Sequence, residues 1–312
     1  MEHNFIAALR ALATDPAARR LLDDAAVLAF GDTRLVLTYD MIVEGVHFLP
    51  GDPPEDVAWK LVAVNLSDLA AKGAVPVGML CGYMLSGSAE WDAAFARGLA
   101  EVGVFFAVPL LGGDTVSGPP GAARSFGLTA IGRAEGEVPS RAGARAGDTI
   151  WVTGTIGDAG AGLRAARGLL DAPALLDRYR RPQPRLAAGQ ALAPLVSAMM
   201  DVSDGLLIDA ERVAAASGVR IYIDLERVPL SDAYRAACGG DRDDVLAAAS
   251  AGDDYELLFA APDTLAIRET AGRLGLPLTP VGRAAAGHGL ALSWRGAIID
   301  HDGPLGWEHG SR

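Results

Sequence analysis

Six aspartates stand where an acid needs a reason. Asp40 closes an apolar, β-prone run that begins at Leu35, and Asp68 shares a side with Asn65 on a largely apolar helical stretch. Asp24 follows Asp23 just ahead of another β-prone run, and Asp114 follows Gly112-Gly113. Asp201 and Asp204 lie either side of Ser203 at the end of a third apolar run. Four or more carboxylates converging without lysines would repel one another and raise each other's pKa. Hard divalent cations with oxygen ligands resolve that conflict, Mg²⁺ first. Several such ions suit a polyphosphate substrate, because positioning and charge neutralisation carry most of phosphoryl transfer. The sequence holds no Walker A lysine loop and no HRD or DFG signature of a protein kinase. Phosphoryl transfer on this chain would be a metal-dominated variety on another fold.

Each acid also has a plain structural reading. Asp40 could cap the turn after an ordinary strand, and Asp23-Asp24 could be a solvated turn. Gly112-Gly113-Asp114 uses the residues that turns use. Ser203 or Asp204 could cap a following helix. Asn65, Ser67 and Asp68 are harder to explain this way, because polar groups on an apolar face cost free energy unless they are paired.

The elements that must position these residues follow from hydrophobic spacing. The pattern predicts a helix over 4–21, a strand over 25–30, a turn at Gly31-Asp32 and a strand from Arg34 to Thr38. Pro53-Pro54-Glu55 opens a long helix through Lys72. A strand over 77–85, a helix over 90–106 and a buried strand over 108–111 come next. The last ends in the glycines before Asp114, where backbone N–H groups suit a phosphate. A strand over 124–134 leads into a polar, glycine-rich stretch that carries Arg141 and Arg145. Either arginine could pair with a phosphate, or both could be solvated linker residues. The expected organisation is a domain over 1–136, a linker over 137–148 and a domain over 149–312. In the second half a strand over 149–152 meets a glycine turn and a helix over 159–169, a possible anion site. Pro182-Gln183-Pro184 precedes a helix over 185–195, and Asp201 to Gly205 leads into a helix ending near Ala216. Residues 251–256 turn into a buried strand, and 262–300 close a second sheet. Near the end, Trp307 could pack on the fold or on a ligand.

Bulk properties exclude several classes. The chain has 312 residues, half of them hydrophobic, 38 glycines and a net charge of −12. A pI near 4.8 argues against a broad nucleic-acid or anionic-membrane surface. Cys81 and Cys238 form no framework, and His3, His47, His288, His301 and His309 have no zinc spacing. No basic-then-apolar leader opens the chain, and no apolar run approaches the roughly 20 residues of a membrane span. The expectation is a cytoplasmic enzyme with no nucleic-acid or membrane partner.

Taken together, the motifs resemble the thiamine-monophosphate kinases of the aminoimidazole-ribonucleotide synthetase-like superfamily. They are Asp23-Asp24, Thr38-Tyr39-Asp40 with Glu44-Gly45-Val46-His47-Phe48, and Val64-Asn65-Leu66-Ser67-Asp68. Gly112-Gly113-Asp114-Thr115, Asp201-Val202-Ser203-Asp204-Gly205 and Gly252-Asp253-Asp254-Tyr255-Glu256 complete the set. The resemblance spans nearly the whole chain. It implies a two-domain α/β (α+β) fold, with an N-terminal sheet pairing across a homodimer and a C-terminal α/β domain. It implies direct, in-line transfer from ATP to thiamine monophosphate, the last step to thiamine diphosphate, with several Mg²⁺ ions. It places Asp24, Thr38, Tyr39, Asp40, Asp68, Asp114, Asp201 and Asp204 in the metal shell, with Asp40, Asp68 and Asp204 catalytic. Gly113, Asp114, Arg141 and Ser203 then contact the nucleotide, and His47, Asp253 and Trp307 the thiamine phosphate.

The sequence departs from the family pattern at four positions. Leu22 replaces a glycine before the Asp pair, and Tyr39 replaces the second threonine, leaving at most a backbone carbonyl for a metal. Asp253 replaces a glutamate and is one methylene shorter. Ala96 replaces an aromatic beside the nucleotide. A relative acting on another phosphate acceptor and a non-catalytic nucleotide-binding copy are the alternatives these changes raise.

Overall fold

The computed structural model describes residues 2–119 and 121–308; His309 lies outside them. The first half runs α1 (Glu2–Arg10), β1 (Ala26–Phe30), β2 (Thr33–Val43), α2 (Pro54–Ala71), β3 (Val75–Leu85), α3 (Ala89–Phe105), β4 (Leu110–Ser117) and β5 (Ser125–Ala134). The second half begins with β6 (Thr149–Thr153), α4 (Asp158–Ala166), α5 (Leu176–Arg180), α6 (Leu186–Leu192), β7 (Ala198–Asp201), α7 (Leu206–Ser217) and β8 (Arg220–Asp224). It closes with α8 (Asp232–Cys238), α9 (Arg242–Ala249), β9 (Leu257–Ala261), α10 (Leu265–Leu274), β10 (Leu278–Ala285), β11 (Gly289–Trp294) and β12 (Ala297–Ile299).

The first five strands form a mixed sheet in the order β1-β2-β5-β3-β4. One face is covered by α2 and α3. Val36 and Ile42 of β2, Phe126 and Leu128 of β5, and Leu61 and Leu69 of α2 are buried there. The opposite face is open in the single chain, with Tyr39, Met41, Val77, Leu80, Leu111 and Val116 exposed. The other seven strands make a second mixed sheet, β12-β11-β8-β10-β6-β9-β7, with its own core around Ile150, Leu206 and Ile223. A third apolar cluster joins the halves: Ala70 and Ala71 at the end of α2 pack with Trp151, Met199 and Phe259. The approach is close enough that a Cβ on Gly189 of α6 would stand 1.9 Å from the Ala70 carbonyl oxygen. Among the described residues, no helix is long and apolar enough to cross a membrane.

Three local expectations are corrected. Residues 4–21 are not one helix, because Pro16 cannot continue it; Asp15 instead accepts from the Ala17 N–H at 2.8 Å and starts a 3₁₀ segment. Asp40 does not end its strand. β2 runs on to Val43, so Asp40 pairs with Leu128 in mid-sheet. Gly112 to Thr115 is not a turn after a buried strand. It lies within β4, a sheet edge exposed along its whole length.

Candidate active site

The long helix α2 is the platform of the site, and its polar residues are all engaged. Asn65 Oδ1 accepts from the Asp40 N–H at 2.9 Å, which fixes the middle of β2 against the helix. Its amide also donates to the Leu61 carbonyl at 2.9 Å. The Ser67 hydroxyl donates to Asp201 at 2.6 Å, tying α2 to β7 of the second half. The Thr38 hydroxyl donates to Asp68. Buried polar groups are tolerated when hydrogen-bonded in this way. Because side chains alternate along a strand, Thr38 and Asp40 face the helix while Tyr39 points to the open face, where its hydroxyl lies over Gly127.

Carboxylate oxygens of Asp24, Asp68 and Asp201 lie within 4.8 Å of one another, and Asp40 and Asp204 line the same cleft. Two unit charges about 4 Å apart repel by about 4 kcal/mol at an effective dielectric of about 20. The cluster therefore holds on to protons. Burial, then Asp24 and Asp204, push Asp40 up to about 6. Burial and then Asp24 push Asp201 up to about 8. Burial, with Asp40, Asp201 and Asp24 adding, carries Asp68 well above the usual range against the Thr38 bond. Asp24 goes the other way. Burial opposes its charge, but Lys72 and Arg141 outweigh that and hold it below the usual range.

Of the cations around these acids only Arg141 is anticipated by the sequence, as a nucleotide contact; Lys72 and Arg212 are not. Lys72 Nζ is fully buried and donates to Asp23 at 2.5 Å and to Asp24 at 2.7 Å. The Arg141 guanidinium donates to Asp24, and its buried Nε has no partner. Arg212 pairs with Asp204 at 2.6 Å and with buried Asp209 at 2.7 Å. Asp209 in turn accepts from the N–H groups of Ser203 and Asp204, shaping the turn before α7. One signal was available: Lys60 and Lys72 are the chain's two lysines, and both lie on the α2 stretch beside the motif acids.

The cleft, about 560 Å³, runs from the carboxylates to a rim that carries His47, Asp253 and Trp307. Residues 44–48 form a tight loop held by Arg124, which grips Glu44 with two bonds of 2.8 and 2.9 Å. Within it His47 Nδ1 accepts from the Val43 N–H at 3.0 Å. Trp307 is anchored through its backbone N–H to the Asp204 carbonyl at 2.9 Å. Asp253 and Tyr255 both occupy the left-handed region, with φ of 70° and 51°. Non-glycine residues in that region store strain and concentrate at functional sites. The neighbours hold them there: Asp254 caps α4 through Gly157 N–H at 2.7 Å, and Glu256 is gripped by Arg178 and Arg185.

Thus Asp24, Asp40, Asp68, Asp201, Asp204, Arg141, Ser203, His47, Asp253 and Trp307 share one cleft. Thr38 stands behind it on Asp68. Gly113 and Asp114 do not reach it. They line a separate groove on β4 with Tyr83, Phe95 and Ala96. Gly113 is required where it lies, since a Cβ would meet the Cys81 carbonyl oxygen at 1.9 Å. The side chain of Tyr39 faces away, so only its backbone borders the site.

Two α/β halves with acids of both meeting in one cleft define the class of AIR synthase related proteins. Models of that family match this chain twice, the N-terminal domain over residues 22–134 and the C-terminal domain over 145–295. The thiamine-monophosphate kinase of Caulobacter vibrioides is 42% identical over 309 residues, spanning 95% of this chain and 86% of that protein. A solved structure described as AaThiL complexed with AMPPCP and TMP superposes with a TM-score of 0.86 at 31% identity, covering 99% and 96% of the two chains. The crystal structure of thiamine-monophosphate kinase from Stenotrophomonas maltophilia gives a TM-score of 0.78 at 38% identity, covering 95% and 96%. The chain belongs to the thiamine-monophosphate kinase family.

The protonated acids give a pH signature. A carboxyl whose folded pKa is raised above its unfolded value loses stability as pH climbs from the unfolded pKa towards the folded one. For Asp40 and Asp201 that window opens near 3.8 and closes at about 6 and about 8. Asp201→Asn should therefore raise the urea midpoint of the EDTA-treated protein more at about pH 8 than at about pH 5. An equal change at both would mean Asp201 is not crowded.

Proposed function

We propose that this chain transfers the terminal phosphoryl group of ATP to the phosphate of thiamine monophosphate, giving ADP and thiamine diphosphate. The observation that carries this reading is the cluster Asp24, Asp68 and Asp201, within 4.8 Å, in one cleft with His47, Asp253 and Trp307. Relatives named thiamine-monophosphate kinase, and the complex with AMPPCP and TMP, support the same activity.

The donor set is all oxygen and largely anionic, which fits Mg²⁺. Asp24, Asp40, Asp68, Asp201 and Asp204 would hold several ions, with the Tyr39 carbonyl and the Thr38 hydroxyl at the margin. Bound there, Mg²⁺ would neutralise phosphate charge and favour in-line transfer. Asp40, Asp68 and Asp204 fix where that charge is compensated. Arg141, with its spare Nε–H, and Ser203 take the nucleotide. His47, Asp253 and Trp307 orient the acceptor. Its attacking atom is a phosphate oxygen already largely ionised at neutral pH, since a phosphate monoester has a second pKa near 6. No side chain has to remove a proton, so rate rests on alignment and electrostatics.

Residues 1–136 form the nucleotide and metal domain in this reading, 137–148 the linker and 149–312 the second domain. The active form is a homodimer. Monomers rarely expose a wide apolar face, and here the open face of the first sheet carries Tyr39, Met41, Val77, Leu80, Leu111 and Val116. A second copy on that face brings the partner's β4 towards the cleft, so that Gly113 and Asp114 serve the neighbouring site.

Purified protein incubated with Mg-ATP should form thiamine diphosphate and ADP only when thiamine monophosphate is added. Asp40→Asn should slow this by at least ~10²-fold, the loss expected for one strong transition-state contact. A near-normal rate would remove Asp40 from the site, and faster turnover of another phosphorylated acceptor would favour a different substrate. For the dimer, Asp40→Asn and Asp114→Asn should each be inactive, while an equimolar mixture recovers about a quarter of the wild-type rate through mixed dimers. No recovery on mixing would mean that Asp114 serves its own chain.

A further inference from the structure

The second lysine, Lys60, has no part in the scheme above, yet its surroundings are unusual. It lies on α2 with 2% of its side chain exposed. Its Nζ donates to Asp253 Oδ2 at 2.7 Å and to the His47 carbonyl oxygen at 2.9 Å. It also lies 4.2 Å from the centre of the Tyr179 ring, a cation–π contact. One buried ammonium thus joins the two rim residues that come from opposite halves of the molecule.

The contacts around it form a chain. The Tyr179 hydroxyl donates to Asp52 Oδ2 at 2.9 Å, and the same oxygen accepts from the Leu49 N–H at 2.8 Å. The end of the His47 loop is therefore tied to the ring that carries the ammonium. On the other side, Asp253 Oδ1 accepts from the Tyr255 hydroxyl at 3.1 Å. Both carboxylate oxygens of Asp253 are thus occupied on its protein side, and its orientation is set in a strained backbone region. Arginine supplies nearly every other positive charge in the chain, but a branched guanidinium is a poor substitute at this spot. A slender stem ending in a compact three-donor charge fits two oxygens and a ring face at once.

We propose that Lys60 is a positioning residue for the acceptor: it fixes Asp253 and the His47 loop relative to each other, and so sets the affinity for the phosphorylated acceptor without touching the nucleotide. The shorter side chain at position 253 sharpens the need. An aspartate has little reach, so its carboxylate must be held where the acceptor can meet it. The proposal rests on the kinase reading above, and Lys60 acts through Asp253 and His47 rather than on the reacting atoms.

The test is steady-state kinetics with Mg-ATP and thiamine monophosphate on the full chain. Wild-type turnover comes first; its absence would overturn the kinase reading and leave the Lys60 geometry unjudged by activity. In that event thermal shift with thiamine monophosphate alone decides: stabilisation of wild type but not of Lys60→Met supports the proposal, and equal stabilisation of both, or of neither, overturns it. With turnover present, Lys60→Met should raise the KM for thiamine monophosphate at least ~10-fold while the KM for ATP stays within about 2-fold and kcat falls little. Adding it to Asp253→Asn should change that KM less than about 2-fold further, as expected of residues acting through one contact. Lys60→Gln, which keeps a donor without the charge, carries the same two expectations if the methionine variant does not fold. A parallel rise of both KM values, or full multiplication of the two single effects, would overturn the proposal and make Lys60 a structural charge only.

Discussion

Everything in this molecule turns on burying several carboxylates against one another. Asp24, Asp68 and Asp201 come from the approach to β1, from α2 and from β7, and their oxygens meet within 4.8 Å. No such cluster arises from folding energetics alone, because burial and mutual repulsion both oppose its charge. The protein manages the conflict in two ways. Lys72 and Arg141 neutralise Asp24, and protons neutralise Asp68 and Asp201. The second solution is provisional, since a divalent cation would replace those protons with a better partner for every oxygen.

Helix α2 is the means by which two halves share that cluster. Its apolar residues face the first sheet, its last turn packs on Trp151 and Phe259 of the second, and its polar residues reach both. Asn65 holds the Asp40 backbone, Ser67 holds Asp201, Lys72 holds Asp23 and Asp24, and Lys60 holds Asp253. One helix thus anchors acids and rim residues contributed by several strands, turns and loops. Small displacements of reacting groups matter greatly when alignment carries the rate.

Much of this was legible in the sequence, and the gaps have physical reasons. Asn65, Ser67 and Asp68 announced themselves because uncompensated polar groups do not survive on an apolar helix. Asp201 and Asp204 stood out through the strand–acid–glycine–helix pattern. Asp40 reads as a strand end because an acid after Leu35 to Leu37 looks like a terminus. The β-prone run Met41-Ile42-Val43 carries the strand onward, and the period of two sends Tyr39 and Asp40 to opposite faces. Asp114 looked like part of a turn because glycines are locally ambiguous; only the sheet order makes β4 an edge. Lys60 and Lys72 escape a sequence reading because a lysine on a helix is ordinarily solvated. Their partners lie in distant segments, beyond the reach of local periodicity.

The claim at the centre of this account is that the crowded acids keep protons until a divalent cation displaces them. Binding calorimetry of Mg²⁺ at about pH 7, run in two buffers of different ionisation enthalpy, measures those protons directly. Net proton release on binding, reduced in Asp201→Asn, is the result expected from an Asp201 pushed up to about 8. Tight Mg²⁺ binding with no proton release would contradict it, as would no binding at all.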